Sequence, residues 1–272
     1  MFPGSPEAAV ALNWNTILYR LYIRAPSQPA YTASGRTLGA ANLKYRDVSA
    51  VAVDPQDRVL LAHKNGLAVF DGKGTLVRSV NGDSPSAVAL TFGGLPLQVR
   101  GNALIPEGAL AIRLGLPQSD GKMKEIDEIS AVLALSTGGW LVGDRKNKVV
   151  QMFSAEGKYE KAFVTTPVDR LVKSTLQDVA VLDRDAKQVS VFDWTGKSIG
   201  RVVARGTGYE LTNPVDIAFD TLGHLYVLDR SKGAVLVFSS PTKLLTTFSI
   251  PEKSPGAFQK AVAFALDSAG RR

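Results

Sequence analysis

Residues 213–238 read NPVDIAFDTLGHLYVLDRSKGAVLVF, and this stretch decides the fold. Three apolar runs rich in Val, Leu, Ile and aromatic residues alternate with short groups of Asp, Gly, Ser and Lys. Short runs of this composition between turn formers are typical of β-strands, and they do not follow the 3.6-residue period of a helix. The stretch therefore predicts three successive antiparallel strands joined by tight turns.

The same pattern recurs along the chain, in residues 50–74, 134–158 and 178–197. Each copy has an aromatic landmark before its last turn, at Phe70, Phe153, Phe192 and Phe238. The landmarks are separated by 83, 39 and 46 residues, and the longest interval holds two periods with a degenerate copy near Ile112. A period of about 40 residues that contains four strands has the size of a β-propeller blade.

The two chain ends predict how the ring of blades closes. Residues 260–271 match the first strand and turn of the copy that starts at Asp47. Residues 18–23, 30–34 and 36–40 supply candidates for the three strands that would follow. We therefore predict an all-β, six-bladed propeller of four-stranded antiparallel blades, whose last blade combines strands from both termini. Residues 1–15 are expected to form a flexible lead, and residues 16–272 a single domain. The chain end is also compatible with a boundary inside a longer parent protein.

The repeat resembles a known family of propellers. Its marks are an apolar strand ending in Asp, then Gly-x-Leu-Tyr-Val-x-Asp at 223–229, then Val-x-Val-Phe at 235–238. This order is similar to the NHL repeat and to the TolB-like six-bladed propellers, and the likeness covers nearly the whole chain after Asn15. The copy from 84 to 122 departs from it, because it contains Pro96, Pro106 and Pro117 and lacks an Asp-Arg pair. The resemblance implies the fold, while propellers of this class include both enzymes and binding platforms.

The composition excludes several kinds of site. The 272 residues include no cysteine and two histidines, which excludes disulfides, Cys-ligated zinc and thiol catalysis. NHL-type amidating lyases use several histidines around a metal, and gluconolactonase-like propellers use a Glu, Asn and Asp set around the channel. Neither set has a counterpart on the equivalent strands of this chain. We therefore predict no catalytic residues, no metal and no cofactor.

Residues at repeated positions are expected to be structural. Asp-Arg pairs end the second strand of three copies, at 144–145, 183–184 and 229–230. A short Asp side chain there can accept N–H groups of the following turn, and the Arg can bridge to the next blade. His63 replaces the Asp in one copy and is expected to cap the same turn, and His224 is expected to be a scaffold residue.

Two charged residues break the pattern of the first strands. Arg170 and Asp216 occupy a position at which the other copies have apolar residues (Ala50, Ala87, Val132 and Ala263). On neighbouring blades they would face each other near the channel mouth, with Asp169 and Asn213 on the same rim. They form either a salt bridge that locks two blades or a polar spot that binds a ligand, and the sequence leaves both open.

The net charge of +7 suggests a positive face. Its candidates lie in turns of two adjacent copies: Arg145, Lys146, Lys148 and Lys187. Solvated turn lysines are one interpretation, and RNA binding, as in some NHL propellers, is the other. Single-strand recognition also requires exposed stacking side chains, which the sequence does not establish.

Together these observations favour a non-catalytic binding or scaffold propeller that recognises a protein or peptide partner through its loop faces. A hydrolase or lyase with a channel site at Asp216, Arg170 and Asp169 is the main alternative, and RNA binding is the less favoured one. No apolar run approaches the roughly 18 residues of a membrane span. We expect a monomeric propeller, and a bacterial periplasmic or other extracytoplasmic domain of a longer chain.

Overall fold

The computed structural model describes residues 45, 47–82, 85–202, 210–249 and 261–266, which form strands and turns. Blade 1 contains β1 (Ala50–Val53), β2 (Val59–His63), β3 (Gly66–Phe70) and β4 (Leu76–Asn81). Blade 2 contains β5 (Ala87–Leu90), β6 (Pro96–Arg100), β7 (Ala103–Pro106) and β8 (Ile112–Arg113). A hairpin of β9 (Leu116–Pro117) and β10 (Met123–Lys124) follows.

Three further blades follow this hairpin. Blade 3 contains β11 (Ile129–Ala134), β12 (Trp140–Asp144), β13 (Val149–Phe153) and β14 (Tyr159–Thr165). Blade 4 contains β15 (Arg170–Lys173), β16 (Val179–Asp183), β17 (Gln188–Phe192) and β18 (Ser198–Val202). Blade 5 contains β19 (Pro214–Phe219), β20 (Leu225–Asp229), β21 (Ala234–Ser240) and β22 (Lys243–Ser249). None of these described residues belongs to a helix long and apolar enough to span a membrane.

Each blade is an antiparallel sheet whose strands follow one another in chain order. The first strands contact each other from blade to blade, β1 with β5, β5 with β11, β11 with β15 and β15 with β19. The first strands therefore surround a central channel, and the predicted propeller of four-stranded antiparallel blades is confirmed. The irregular copy also forms such a blade, because Pro96 and Pro106 lie at the ends of their strands, where proline is tolerated.

The antiparallel order separates the turns onto two faces of the ring. The turns between second and third strands lie on one face, which we call the Asp-Arg face after residues 144–148, 183–187 and 229–233. The turns between first and second strands lie on the other face, around the channel. In blades 2 to 5 the residues 91–95, 135–139, 174–177 and 221–223 of these turns carry no ionisable side chain. The same turns also contain Asp178, Asp220 and His224, which are buried. We call the four segments without ionisable side chains the neutral mouth.

Apolar side chains between the blades form the core. One cluster joins Leu97 and Leu104 of blade 2 to Val142 and Phe153 of blade 3, and similar clusters join blades 3 to 4 and 4 to 5. The landmark aromatics lie at or near the ends of the third strands, and Phe70, Phe153 and Phe238 are fully buried, whereas Phe192 is half-buried. Burying such side chains on both surfaces of a blade requires a neighbour on each side, which explains the ring.

The described residues contain five blades, where the sequence predicted six. The three strands expected at 18–23, 30–34 and 36–40 lie outside the described residues. Of the expected C-terminal strand, residues 261–266 are described and pair with no strand of the five sheets. Ala261, Phe264 and Leu266 nevertheless pack against the face of blade 5 that is turned away from blade 4, beside Val215 and Tyr226. The segment therefore lies where a further blade would begin.

Candidate functional site

The central channel is the main cavity of the described ring, with a volume of about 700 Å³. Its wall consists of the first strands of all five blades and of residues 264–266. Most of the lining side chains are Ala, Val, Leu, Ile or Phe, because first strands flanked by two blades bury both faces. The ionisable residues among the described lining are Arg170, Lys173 and Asp216.

Arg170 lies at the end of the channel towards the Asp-Arg face. Its Nε lies 3.4 Å from Oδ1 of Asp216, and its Nη2 donates to the carbonyl oxygen of Ser49 at 3.0 Å. Its Nη1 donates to the carbonyl oxygen of Asp169, also at 3.0 Å. The predicted contact between Arg170 and Asp216 is therefore present. One guanidinium ties blades 4 and 5 to the start of blade 1.

Asp216 anchors the segment after blade 5. Its Oδ2 accepts the backbone N–H of Phe264 at 2.9 Å, and its Oδ1 accepts that of Ile217 at 3.0 Å. Burial raises the pKa of Asp216, while the charge of Arg170 and these two hydrogen bonds oppose the rise. The carboxyl group of Asp216 is already engaged by three groups.

The other two predicted rim residues lie behind the channel wall rather than in it. Asp169 is buried, with Oδ2 accepting the backbone N–H of Arg184 at 2.8 Å and Oδ1 2.9 Å from Nη1 of Arg145. The backbone N–H of Asn213 donates to Asp229 at 3.1 Å. The structure thus brings Arg170 and Asp216 together in the channel and does not place Asp169 or Asn213 on its wall. Ligand binding by these four residues stays a prediction.

Lys173 is a channel residue that the sequence analysis missed. It ends β15 near the neutral mouth, and its Nζ donates to the carbonyl oxygen of Ala134 at 3.0 Å. Burial lowers the pKa of Lys173. The sequence contains a signal for this residue, because a lysine stands where blades 1, 2 and 5 have the apolar residues Val53, Leu90 and Phe219.

The predicted basic candidates all lie in turns of the Asp-Arg face. Arg145 forms ion pairs with Asp169 at 2.9 Å and Glu128 at 4.0 Å, and Lys146 lies 3.4 Å from Asp127. The other two, Lys148 and Lys187, are exposed and have positive φ angles of 54° and 53° at equivalent turn positions. Carboxylates thus compensate half of these candidates, which weakens the positive field of this face.

The capping roles predicted for the repeated Asp residues are confirmed. Asp183 accepts the N–H of Ala186 at 2.9 Å, and Asp144 accepts the N–H of Asn147 at 3.0 Å. His63 takes over the same role, because its Nδ1 accepts the N–H of Asn65 at 3.2 Å.

The expected bridging by the paired Arg residues is present in two of the three Asp-Arg pairs. Arg184 donates through Nη2 to the carbonyl oxygen of Val215 on blade 5. Arg145 reaches Asp169, which precedes the first strand of blade 4. Each of these side chains therefore connects the turn of one blade to the next blade, and their recurrence has a structural cause.

His224 belongs to a buried polar cluster at the turn of blade 5. Its Nδ1 lies 2.8 Å from Oδ2 of Asp220, which also accepts the hydroxyl of Tyr226 at 3.0 Å. Hydrogen bonds from His224 and Tyr226 hold the pKa of Asp220 below its usual value, although burial acts in the opposite direction. The cluster fixes the entrance of β20, as expected for a scaffold residue. Among the described residues, no three His, Cys, Asp or Glu side chains are arranged to hold a metal ion.

Comparisons with known proteins support the fold and extend no further. No protein-family model matches the sequence, and no curated protein is similar to it. A protein of unknown function from Bacteroides thetaiotaomicron aligns over 85% of this chain and 66% of its own, with a TM-score of 0.63 and 14% identity. Another from Bacteroides caccae covers 80% and 85%, with a TM-score of 0.58 and 13% identity.

An enzyme is also among the similar solved structures. Catalytically inactive virginiamycin B lyase from Staphylococcus aureus, solved with quinupristin, covers 79% of this chain and 74% of its own. Its TM-score is 0.56 and its identity 10%. Likeness at such low identity shows a shared β-propeller fold, which hosts many unrelated functions.

Proposed function

We propose that this chain is a non-catalytic binding propeller that recognises a protein or peptide partner through its loops. The observation that carries the proposal is that the charged side chains Arg170 and Asp216 of the channel are occupied by bonds between blades. Arg170 and Asp216 are engaged in bonds that hold blades 4, 5 and 1 together, so they are not arranged as an acid and a base around a vacant reaction centre. A rigid scaffold with variable loops is a common basis for recognition.

Exposed apolar side chains indicate which loops take part. The turn between β5 and β6 exposes Phe92 at 65% and Leu95 at 50%, and the loop before β8 exposes Leu110 at 90%. Trp194, exposed at 71%, lies in a turn of blade 4 on the same face. Aromatic and aliphatic side chains of this kind anchor protein interfaces. We therefore place the partner on the face that carries the neutral mouth.

The proposal includes closure of the ring by a sixth blade of the NHL type, within one domain of a larger protein. Three observations support this closure. Residues 261–266 follow the edge of blade 5, the N–H of Phe264 is held by Asp216, and Arg170 reaches across to Ser49. The N-terminal segment 18–40 would supply the remaining three strands.

The test is a binding measurement with loop variants. Partners are captured from an extract of the host cell, purified, and their dissociation constants are measured by interferometry. We expect the double variant Phe92→Ser and Leu95→Ser to bind at least about tenfold more weakly than the unmodified chain. Val77→Ser with Ile199→Ser is the matched control, because these exposed residues lie on outer strands and not in the loops.

Other outcomes would contradict the binding proposal. Equal binding by both double variants would remove the loops from the interface. Turnover of streptogramin B, followed by mass spectrometry and lost in Asp216→Asn, would favour the alternative of a lyase with a channel site. Tight binding of a single-stranded oligonucleotide with a steep salt dependence would favour the RNA-binding alternative.

A further inference from the structure

Lys173 places a positive charge on the wall of an otherwise apolar channel. Its ammonium group donates to one backbone carbonyl, that of Ala134. Within the described part of the chain, no carboxylate lies within ion-pair distance of this ammonium group. An ammonium group has three N–H donors, so the described residues leave two of them without an acceptor.

The charge of Lys173 is not balanced by the rest of the channel. Arg170 and Asp216 form a pair of their own at the far end. Lys173 lies three residue steps after Arg170 in β15, a distance of about 10 Å along the strand. The half of the channel next to the neutral mouth therefore carries one uncompensated positive charge. Burial without a counter-charge is the cause of the lowered pKa of Lys173.

The cavity around Lys173 has the size and lining of a small-molecule site. Its volume of about 700 Å³ falls within the range of roughly 300–1,000 Å³ that is usual for ligand pockets. Aliphatic side chains of the first strands form its walls, and Phe92 lies at its rim. Arg170 and its bonds lie at the opposite end, and the four segments of the neutral mouth contain no carboxylate that would repel an anion.

We propose that the channel binds a free organic acid, with an apolar body against the first strands and its carboxylate on the ammonium group of Lys173. A carboxylate carries the single negative charge that one lysine can balance, whereas a phosphate dianion would require further cations. The bound carboxylate would accept hydrogen bonds from the two N–H groups of Lys173 that do not donate to Ala134. Its negative charge would also balance the partly desolvated positive charge of Lys173. This site is distinct from the proposed protein-binding loops, because the acid lies inside the channel on Lys173, although Phe92 at the channel rim is shared by both.

The experiment compares two probes that differ in charge and share an apolar chain. Decanoate and decanol are titrated calorimetrically into the full chain and into Lys173→Met, Lys173→Arg and Lys161→Met. We expect decanoate to bind the unmodified chain at least about tenfold more tightly than decanol, since a charge-assisted hydrogen bond contributes that much. Lys173→Met should lose this difference and still bind decanol, and Lys173→Arg should retain most of it.

Lys161→Met is the matched control, because it removes the same charge from the exposed outer strand β14. A second measurement follows acylation of lysines by mass spectrometry, and decanoate should protect Lys173 and not Lys161. Equal affinity for the two probes, unchanged decanoate binding in Lys173→Met, or absence of binding to the unmodified chain would each overturn the proposal. Binding of an apolar peptide with a free C terminus, without binding of decanoate, would also overturn the assignment to a free acid.

Discussion

The two ends of the central channel are built from different chemistry. At the Asp-Arg end, Arg170 contacts an acceptor on each of three blades, and buried Asp residues cap the nearby turns. At the neutral mouth, the four turn segments carry no ionisable side chain, although buried Asp54 and Asp220 cap turns on this face too. The one charged wall residue there, Lys173, has a single carbonyl acceptor among the described residues. Polar groups therefore connect blades at one end of the channel, and the other end has one cation on a mainly apolar wall.

The largest effect expected from this contrast concerns Asp216. Asp216→Ala removes the partner of the partly buried Arg170 and the acceptor of the Phe264 N–H. Loss of one partner of a buried pair leaves the other charge uncompensated, and we expect the free energy of unfolding to fall by about 3 kcal/mol. Urea denaturation measures this change. Asp185→Ala, at an exposed turn position of the same face, is the control and should change it by less than about 0.5 kcal/mol.

A smaller and graded effect is expected for the capping Asp residues of the Asp-Arg face. Asp229 accepts the N–H groups of Thr212, Asn213 and Lys232, whereas Asp183 accepts that of Ala186. We expect Asp229→Ala to cost about 2–3 kcal/mol of unfolding free energy and Asp183→Ala about 1 kcal/mol, because more buried donors lose their acceptor in the first. Equal losses in denaturant unfolding would contradict this ordering.

The pH dependence should have opposite signs on the two faces. The Thr195 hydroxyl, followed by backbone N–H groups, lowers the pKa of Asp193 in an exposed turn beside the neutral mouth, and burial raises that of Asp216. The stability from Asp193 is present above the usual pKa of about 4 and is lost as the pH falls through its lowered value. The stability from Asp216 is present at acid pH and is lost as the pH rises through its raised value.

Asn variants make this difference measurable. The advantage of the unmodified chain over Asp193→Asn should shrink as the pH falls towards 2, whereas its advantage over Asp216→Asn should grow below the raised pKa. Urea unfolding across this pH range gives both slopes. Slopes of the same sign would refute the electrostatic difference between the faces.

The smallest effect concerns Lys173 in the absence of any ligand. Lys173→Met exchanges a half-buried cation for an apolar side chain of similar length. We expect the unfolding free energy to change by less than about 1 kcal/mol, with a gain as the expected direction, because a desolvated charge is removed. If the unfolding free energy fell by more than about 2 kcal/mol, Lys173 would be a residue that stabilises the fold. The two ends of the channel would then not differ in this respect.

The sequence predicted the blades well because each is specified locally. Alternating apolar runs, Asp at the strand ends and Gly in the turns act within about 40 residues, so one copy such as 213–238 identifies its strands. The contact between Arg170 and Asp216 could also be predicted, since equivalent repeat positions occupy equivalent places. The bond from Arg170 to Ser49 could not, because it depends on how far the ring curves rather than on the repeat.

The repeat alignment alone does not predict two features of the site: the exposure of Lys173 to the channel, and the positions of Asp169 and Asn213 away from it. Lys173 stands at a position where the other first strands have apolar residues, but the repeat does not show that its ammonium group lines the channel. The lack of exposure of Asp169 and Asn213 to the channel follows from hydrogen bonds to neighbouring turns, which spacing alone does not specify. The number of blades depended on the chain ends, and the expected N-terminal strands lie outside the described residues.

The bond between Arg170 and Ser49 has a kinetic consequence. It joins residues 121 positions apart, so the loop that it closes contains blades 1 to 3. Because closing such a long loop costs conformational entropy, we expect this contact to form after the transition state for folding. Loss of the Arg170 side chain should therefore raise the unfolding rate of the described blades more than it lowers their folding rate, so that one arginine determines much of their kinetic stability.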